Sequence, residues 1–172
     1  MLAFQWLVLT ATRSGETRLA RRSEIDERAR LWTIRAAYEG NRPHIVPLSA
    51  RCLEILKHAR AMYSSSHLIF PGTKHGSALS NMTFTKVLRD IGYAAEATPH
   101  GMRSAFKVWC AEVAKVRDEV SEAALAHAVP QKVRAAYLRT DFLEERKMLM
   151  SAWEEYCVKS VSVPRTRKSD AA

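Results

Sequence analysis

Residues 23–49, "SEIDERARLWTIRAAYEGNRPHIVPLS", decide what kind of fold this chain has. Three short runs inside the stretch, "SEID", "RLWTIRA" and "HIVPLS", are β-branched or alternate apolar with polar residues. Turn-like polar segments separate them. This is the two-residue period of half-buried strands, and it predicts three short antiparallel strands, the second and third joined around "YEGNRP". The segments on either side carry helical spacing instead. The fold class is therefore mainly α with a small three-stranded antiparallel β-sheet.

Upstream, residues 2–12 form an apolar, uncharged helix that "TRSGE" is expected to break at Gly15. It has no basic leader and Arg13 follows it at once, so it is a core helix and not a signal peptide. Downstream, Ser49 starts a helix to about Tyr63, with Leu53, Ile55, Leu56, Ala59 and Met62 near helical spacing. A loop with one extended piece, "LIF", comes next. Ser80 is expected to cap the following helix, whose apolar positions include Met82, Phe84, Val87, Leu88 and Ile91, and Gly92 to end it. After Thr98 and Pro99 the chain is helical nearly to its end, with breaks near Lys115–Val116, at "AVPQK" and at Thr140–Asp141. Asp141 and Glu144 make a capping pair for the last long helix, on which Phe142, Arg146, Leu149, Trp153 and Tyr156 recur as an apolar side interrupted once. Residues 1–158 then form one domain, and 159–172 a basic, disordered tail.

Bulk properties narrow the function. A chain of 172 residues, 47% apolar, can bury one real core. No apolar run reaches the roughly 18 residues needed to span a bilayer. Cys52, Cys110 and Cys157 are odd in number and far apart, which argues for reduced cytosolic thiols and against a disulfide frame or zinc site. A net charge of +9 and a pI near 9.8 favour polyanionic partners, nucleic acid first. A merely soluble basic protein is the alternative.

Four polar motifs carry chemistry. In "TPHGMRSAFKVWCAEV", Thr98 and Pro99 suit a helix start. At about 100° per residue, Met102, Ala105, Phe106, Trp109 and Val113 fall on one side while His100, Arg103 and Lys107 fall on the other. His100 and Arg103 are thus spare of the core, near a helix N-terminus that favours an anion, or are simply a solvated face. Arg13, at the edge of an apolar helix, needs an anionic partner: Glu16 within the protein, or a phosphate, which two guanidinium forks bind well. His127 ends a small-residue helix in "SEAALAHAVPQK", where it either satisfies helix carbonyls or serves a site. Tyr137 follows ten residues later in "AAYLRTD", either a packed aromatic or a nucleophile.

Arg13 in "TRSGE", His100 and Arg103 in "HGMR", His127 in "LAH" and Tyr137 in "AAYLRTD" stand in the order found in the tyrosine recombinase (phage integrase) family. With "EID…RLWTI…HIVPLS" and "LIFPG", the chain resembles the catalytic domain of its prophage-type integrases over about residues 2–157. The resemblance implies site-specific DNA recombination, integrating or excising a prophage or genomic island, without metal, nucleotide or other cofactor. Tyr137 would attack phosphorus, Arg13 and Arg103 hold the phosphate, His100 assist proton transfer or bond that phosphate, and His127 donate to a non-bridging oxygen. It also implies double-stranded DNA as partner, a homotetramer on DNA with a monomer or weak oligomer otherwise, no membrane, and a cytoplasmic, nucleoid-associated setting. The helix after the nucleophile could pack on a neighbouring protomer, although packing within its own chain is the simpler expectation.

Two departures qualify the resemblance. The family's general-acid lysine belongs in the turn between the second and third strands, yet no lysine precedes Lys57, and Glu39 occupies that region. Arg42 and His44 are nearby, but arginine scarcely gives up a proton. The N-terminal DNA-binding modules of full-length relatives are also absent from the sequence. A catalytically impaired DNA-binding remnant is therefore the alternative, and a relaxing enzyme of the type IB topoisomerase kind, which shares the chemistry, a more distant one.

Overall fold

A computed structural model describes residues 1–35, 43–74, 76–127 and 141–161, with the side chains of 160 and 161 excepted. The "YEGNRP" turn with Glu39 and Arg42, the "AVPQK" break, Tyr137, Thr140 and the tail from 162 lie outside the described residues.

Helix α1 (Leu2–Thr10) is the spine. It carries no charged residue, and Trp6 and Leu7 are fully buried. A run this apolar is stable only with protein on nearly every side. One flank meets the sheet, helix α3 (Ala50–Met62) and Phe84 of helix α4 (Thr83–Asp90), in a core that includes Trp32, Ile34, Val46, Ile55 and Phe70. The Trp6 ring lies 5.4 Å from Trp32 and 5.9 Å from Phe70, centroid to centroid. The second core gathers Phe106 and Trp109 of helix α5 (Gly101–Glu112), Val120 and Ala124 of helix α6 (Asp118–Ala124), and Leu149 and Trp153 of helix α7 (Leu143–Val161). Val8 packs against both cores, and its carbonyl accepts the Trp153 indole N–H at 2.8 Å.

The sheet is as expected: β1 (Ile25–Asp26), β2 (Leu31–Ile34) and β3 (His44–Pro47), antiparallel in the order β1-β2-β3. Trp32 pairs with Val46, so both large apolar side chains point to the same buried face. Helix α7 is fastened to this sheet and to α3. The Arg146 guanidinium donates to the Ile45 carbonyl, and Glu154 accepts the Arg51 peptide N–H at 2.8 Å, capping the first turn of α3. Among the described residues, no helix is long and apolar enough to cross a membrane.

Several boundaries differ from expectation. The chain breaks after α1 at Ala11, in the left-handed region with φ 50°, and Gly15 lies inside a second short helix, α2 (Ser14–Leu19). Buried hydroxyls explain the shift. Thr10, Thr12 and Thr17 form a chain with O···O separations of 2.8 and 2.9 Å, which turns the backbone before the glycine is reached. Gly15 is helical and has no positive φ, and nothing approaches within 4 Å of a Cβ placed on it, so neither its conformational freedom nor its small size is used there. Helix α4 starts at Thr83, with Ser80 Oγ bonded to the Thr83 hydroxyl and no side-chain cap. Asp141 does accept the Leu143 N–H at 3.2 Å, but Glu144 turns to Lys147 and closes no reciprocal box. Helix α7 runs on to Val161, past the expected start of the tail, with a Lys159–Glu155 pair one turn apart near its end.

Candidate active site

The site is assembled from three chain reversals that meet beside the second core. The first is the α1–α2 turn. Arg13 caps α2; its peptide N–H donates to Glu16 Oε2 at 2.6 Å and its Nη1 to Glu16 Oε1 at 3.2 Å. The intrachain ion pair is therefore formed. Glu16 is 5% exposed and Arg13 30%, so the carboxylate is the anchor and the guanidinium faces outward from it.

The second is the start of α5, where the helical-wheel expectation fails. The buried stripe is Arg103, Phe106, Trp109 and Cys110, whereas Ala105 and Val113 are exposed. Arg103, placed on the polar side by periodicity, is 5% exposed. Its Nη1 donates to the Ala11 carbonyl at 2.5 Å and its Nη2 to the Leu125 carbonyl at 2.7 Å. A charge so deep is tolerated because it closes two helix ends, where carbonyls lack intrahelical partners. His100 and Arg103 do not stand side by side on one face: His100 is exposed at the N-cap, and its carbonyl accepts the Arg103 N–H at 3.0 Å. Thr98 supports this start, accepting the Gly101 N–H at 2.9 Å.

The third is the end of α6. After Leu125 the chain reverses at Ala126, φ 50°, and His127 folds back along the helix. Its Nδ1 lies 2.9 Å from Glu122 Oε2, so the imidazole bonds a carboxylate and not a helix carbonyl. Glu122 Oε1 is 2.5 Å from Lys107 Nζ, which also reaches Asp118 at 2.6 Å and Ser121 at 2.7 Å. Burial opposes the Lys107 charge, but the Asp118 and Glu122 carboxylates outweigh it and hold the ammonium above its ordinary value. Burial likewise favours neutral Glu122, yet Lys107 and His127 keep its carboxyl below the usual range.

Arg103 is the hinge of this arrangement. By holding Ala11 with one arm and Leu125 with the other, it brings Arg13, two residues past Ala11, toward His127, two residues past Leu125. His44, the first residue of β3, lies in the same positive field. Burial first, then Arg146, Arg103 and Arg13, push its imidazole down to about 4, against a smaller upward pull from the Ala124 carbonyl. His44 therefore favours its neutral form at neutral pH. Arg146 was legible only as an interruption of an apolar helix side; it is 2% exposed and bonds the carbonyls of Asp141 and Ile45. Tyr137, the fifth expected member of the site, is among the residues not described.

A helical domain with a three-stranded sheet, gathering arginines and histidines at helix ends, has the fold of tyrosine recombinase catalytic domains. It superposes on the integrase from mycobacterium phage Brujita with a TM-score of 0.66 at 20% identity, covering 98% of this chain and 53% of that one. The XerA recombinase crystal structure gives 0.60 at 18% identity, covering 95% and 58%. The chain belongs to the phage integrase family, which it matches over residues 1–144. It is 38% identical over 154 residues to the prophage integrase IntA of Escherichia coli K12, covering 88% of this chain and 37% of that protein. It is 32% identical over 172 residues to the integrase of enterobacteria phage P4, covering 90% and 39%. The chain thus spans about two fifths of the length of these curated relatives.

Proposed function

We propose that this chain is the catalytic part of a site-specific DNA recombinase that cuts and rejoins strands through a 3′-phosphotyrosyl intermediate. The observation that carries this reading is the double grip of Arg103 on the Ala11 and Leu125 carbonyls, which ties the turn leading to Arg13 to the turn leading to His127. Arg13 and Arg103 would neutralise the non-bridging oxygens of the scissile phosphate and the further charge of its pentacoordinate transition state. His127 would donate to one of those oxygens, and the exposed His100 would serve proton transfer or bond the same phosphate. Tyr137 would attack phosphorus and release a 5′-hydroxyl. A free phenol titrates at about 10 and is a weak nucleophile at neutral pH, so it depends on this concentration of positive charge. Because the phosphotyrosyl link conserves the bond, a different 5′-hydroxyl can reverse the step and exchange strands. Support comes from the family and from similar proteins that include XerH site-specific recombinase bound to difH substrate, 22% identical with a TM-score of 0.58 over 84% of this chain and 44% of that one. Four copies on duplex DNA, acting in the cytoplasm on integrated elements such as prophages, complete the proposal.

A nicked duplex that loses a short 5′ fragment on cleavage tests it. The chain should trap itself on the DNA as a denaturation-resistant adduct, and Tyr137→Phe should abolish the adduct. The absence of lysine before Lys57 favours one second reading, a DNA-binding remnant that no longer cleaves. DNA retention without an adduct at any protein concentration would establish it.

A further inference from the structure

We propose that Glu122 is the positioning residue for His127, fixing the imidazole with its Nδ1 proton on α6 and its Nε2 edge toward the scissile phosphate, while Lys107 holds Glu122 in place. This rests on His127 contacting that phosphate, as proposed above. The reversal at Ala126 brings His127 beside the last turn of α6, where Glu122 receives it twice. The His127 peptide N–H donates to the Glu122 carbonyl at 3.1 Å, and the ring meets the Glu122 carboxylate at 2.9 Å. The other carboxylate oxygen is 2.5 Å from Lys107 Nζ. Lys107 follows Arg103 by one helical turn, so α5 holds the backbone at Leu125 with one side chain and Glu122 with the next.

An ionised carboxylate only accepts hydrogen bonds, so Nδ1 carries a proton in either charge state of the ring. Nε2 is then the nitrogen whose proton comes and goes. A neutral ring would turn a lone pair toward a phosphate oxygen, whereas an imidazolium turns an N–H toward it. Glu122 is the charged group in direct contact with the ring. A carboxylate behind a functional imidazole sets both its tautomer and its ring orientation.

The ring ¹⁵N shifts of His127 in the full chain test this without DNA. The neutral ring should be protonated at Nδ1, and Glu122→Gln should weaken that preference. Protonation at Nε2 in the neutral ring of the unaltered chain would overturn the proposal, whether or not the chain cleaves DNA. Single-turnover adduct formation supplies the second measurement. Glu122→Gln should slow it on the order of tenfold, the scale of losing a partner that orients a functional imidazole. Glu122→Asp, which keeps the charge, should recover part of the rate. In a His127→Ala background, Glu122→Gln should have no further effect; equal slowing in both backgrounds would leave Glu122 a purely structural part. A His127→Ala chain that reacts at the parent rate would instead remove the role proposed for His127 itself, while the tautomer measurement would still stand.

Discussion

Acidification should destabilise this protein through His44. In the folded chain its imidazole is pushed down to about 4 from 6.5, by burial and by the guanidiniums of Arg146, Arg103 and Arg13. The unfolded chain therefore binds a proton that the folded chain refuses. Stability is fully retained above 6.5, falls as pH drops from 6.5 toward 4, and loses nothing further from this residue below that. The complete loss corresponds to roughly 3 kcal/mol, and at pH 5.5, where an unfolded imidazole is mostly charged, it is about 1 kcal/mol. Urea unfolding at pH 7.5 and pH 5.5 measures it, with His44→Gln as the reference that has no proton to bind. Other groups titrate in both proteins, so the quantity to read is the difference between their two losses. The parent should lose about 1 kcal/mol more than the variant. Equal losses, or a larger loss in the variant, would refute the claim that His44 lies desolvated within a cluster of arginines.

Two more substitutions separate the structural from the chemical parts of the site. Arg103→Lys keeps the charge but cannot span the Ala11 and Leu125 carbonyls, so urea denaturation should show a loss of about 2–4 kcal/mol, together with loss of the DNA adduct. A variant of parental stability would show that the two carbonyl bonds are dispensable. Glu39→Lys should accelerate cleavage of an ordinary duplex and leave a substrate with a 5′-thiolate leaving group, which needs no acid, almost unchanged; equal acceleration of both would rule out a missing general acid.

The sequence determined the architecture because its signals are local. Strand periodicity in 23–49 needs only neighbouring residues to be read, and the sheet formed in the expected order. The uncharged run before Arg13 had to be a buried helix wherever it lay in the fold. The family, too, was legible in the order of four short polar motifs. Helix starts were less so, since Ser80 and Thr98 bond near the ends of α4 and α5 while the helices themselves begin later.

What tertiary structure alone decided is where the charges went. A helical wheel assumes that polar side chains seek water, and it placed Arg103 outward with His100. Arg103 went inward because the last turns of α1 and α6, distant in sequence, arrived with unpaired carbonyls that only a long two-armed donor could reach. Arg146 is buried for a related reason, with the Ile45 carbonyl of β3 waiting beside its helix. Glu122 gave no sign of its link to His127, because five residues is not a helical contact distance; the pair meets only after the backbone reverses at Ala126. Local pattern records which residues prefer a helix, a strand or a core, but it holds no record of which carbonyl or carboxylate another part of the chain will deliver.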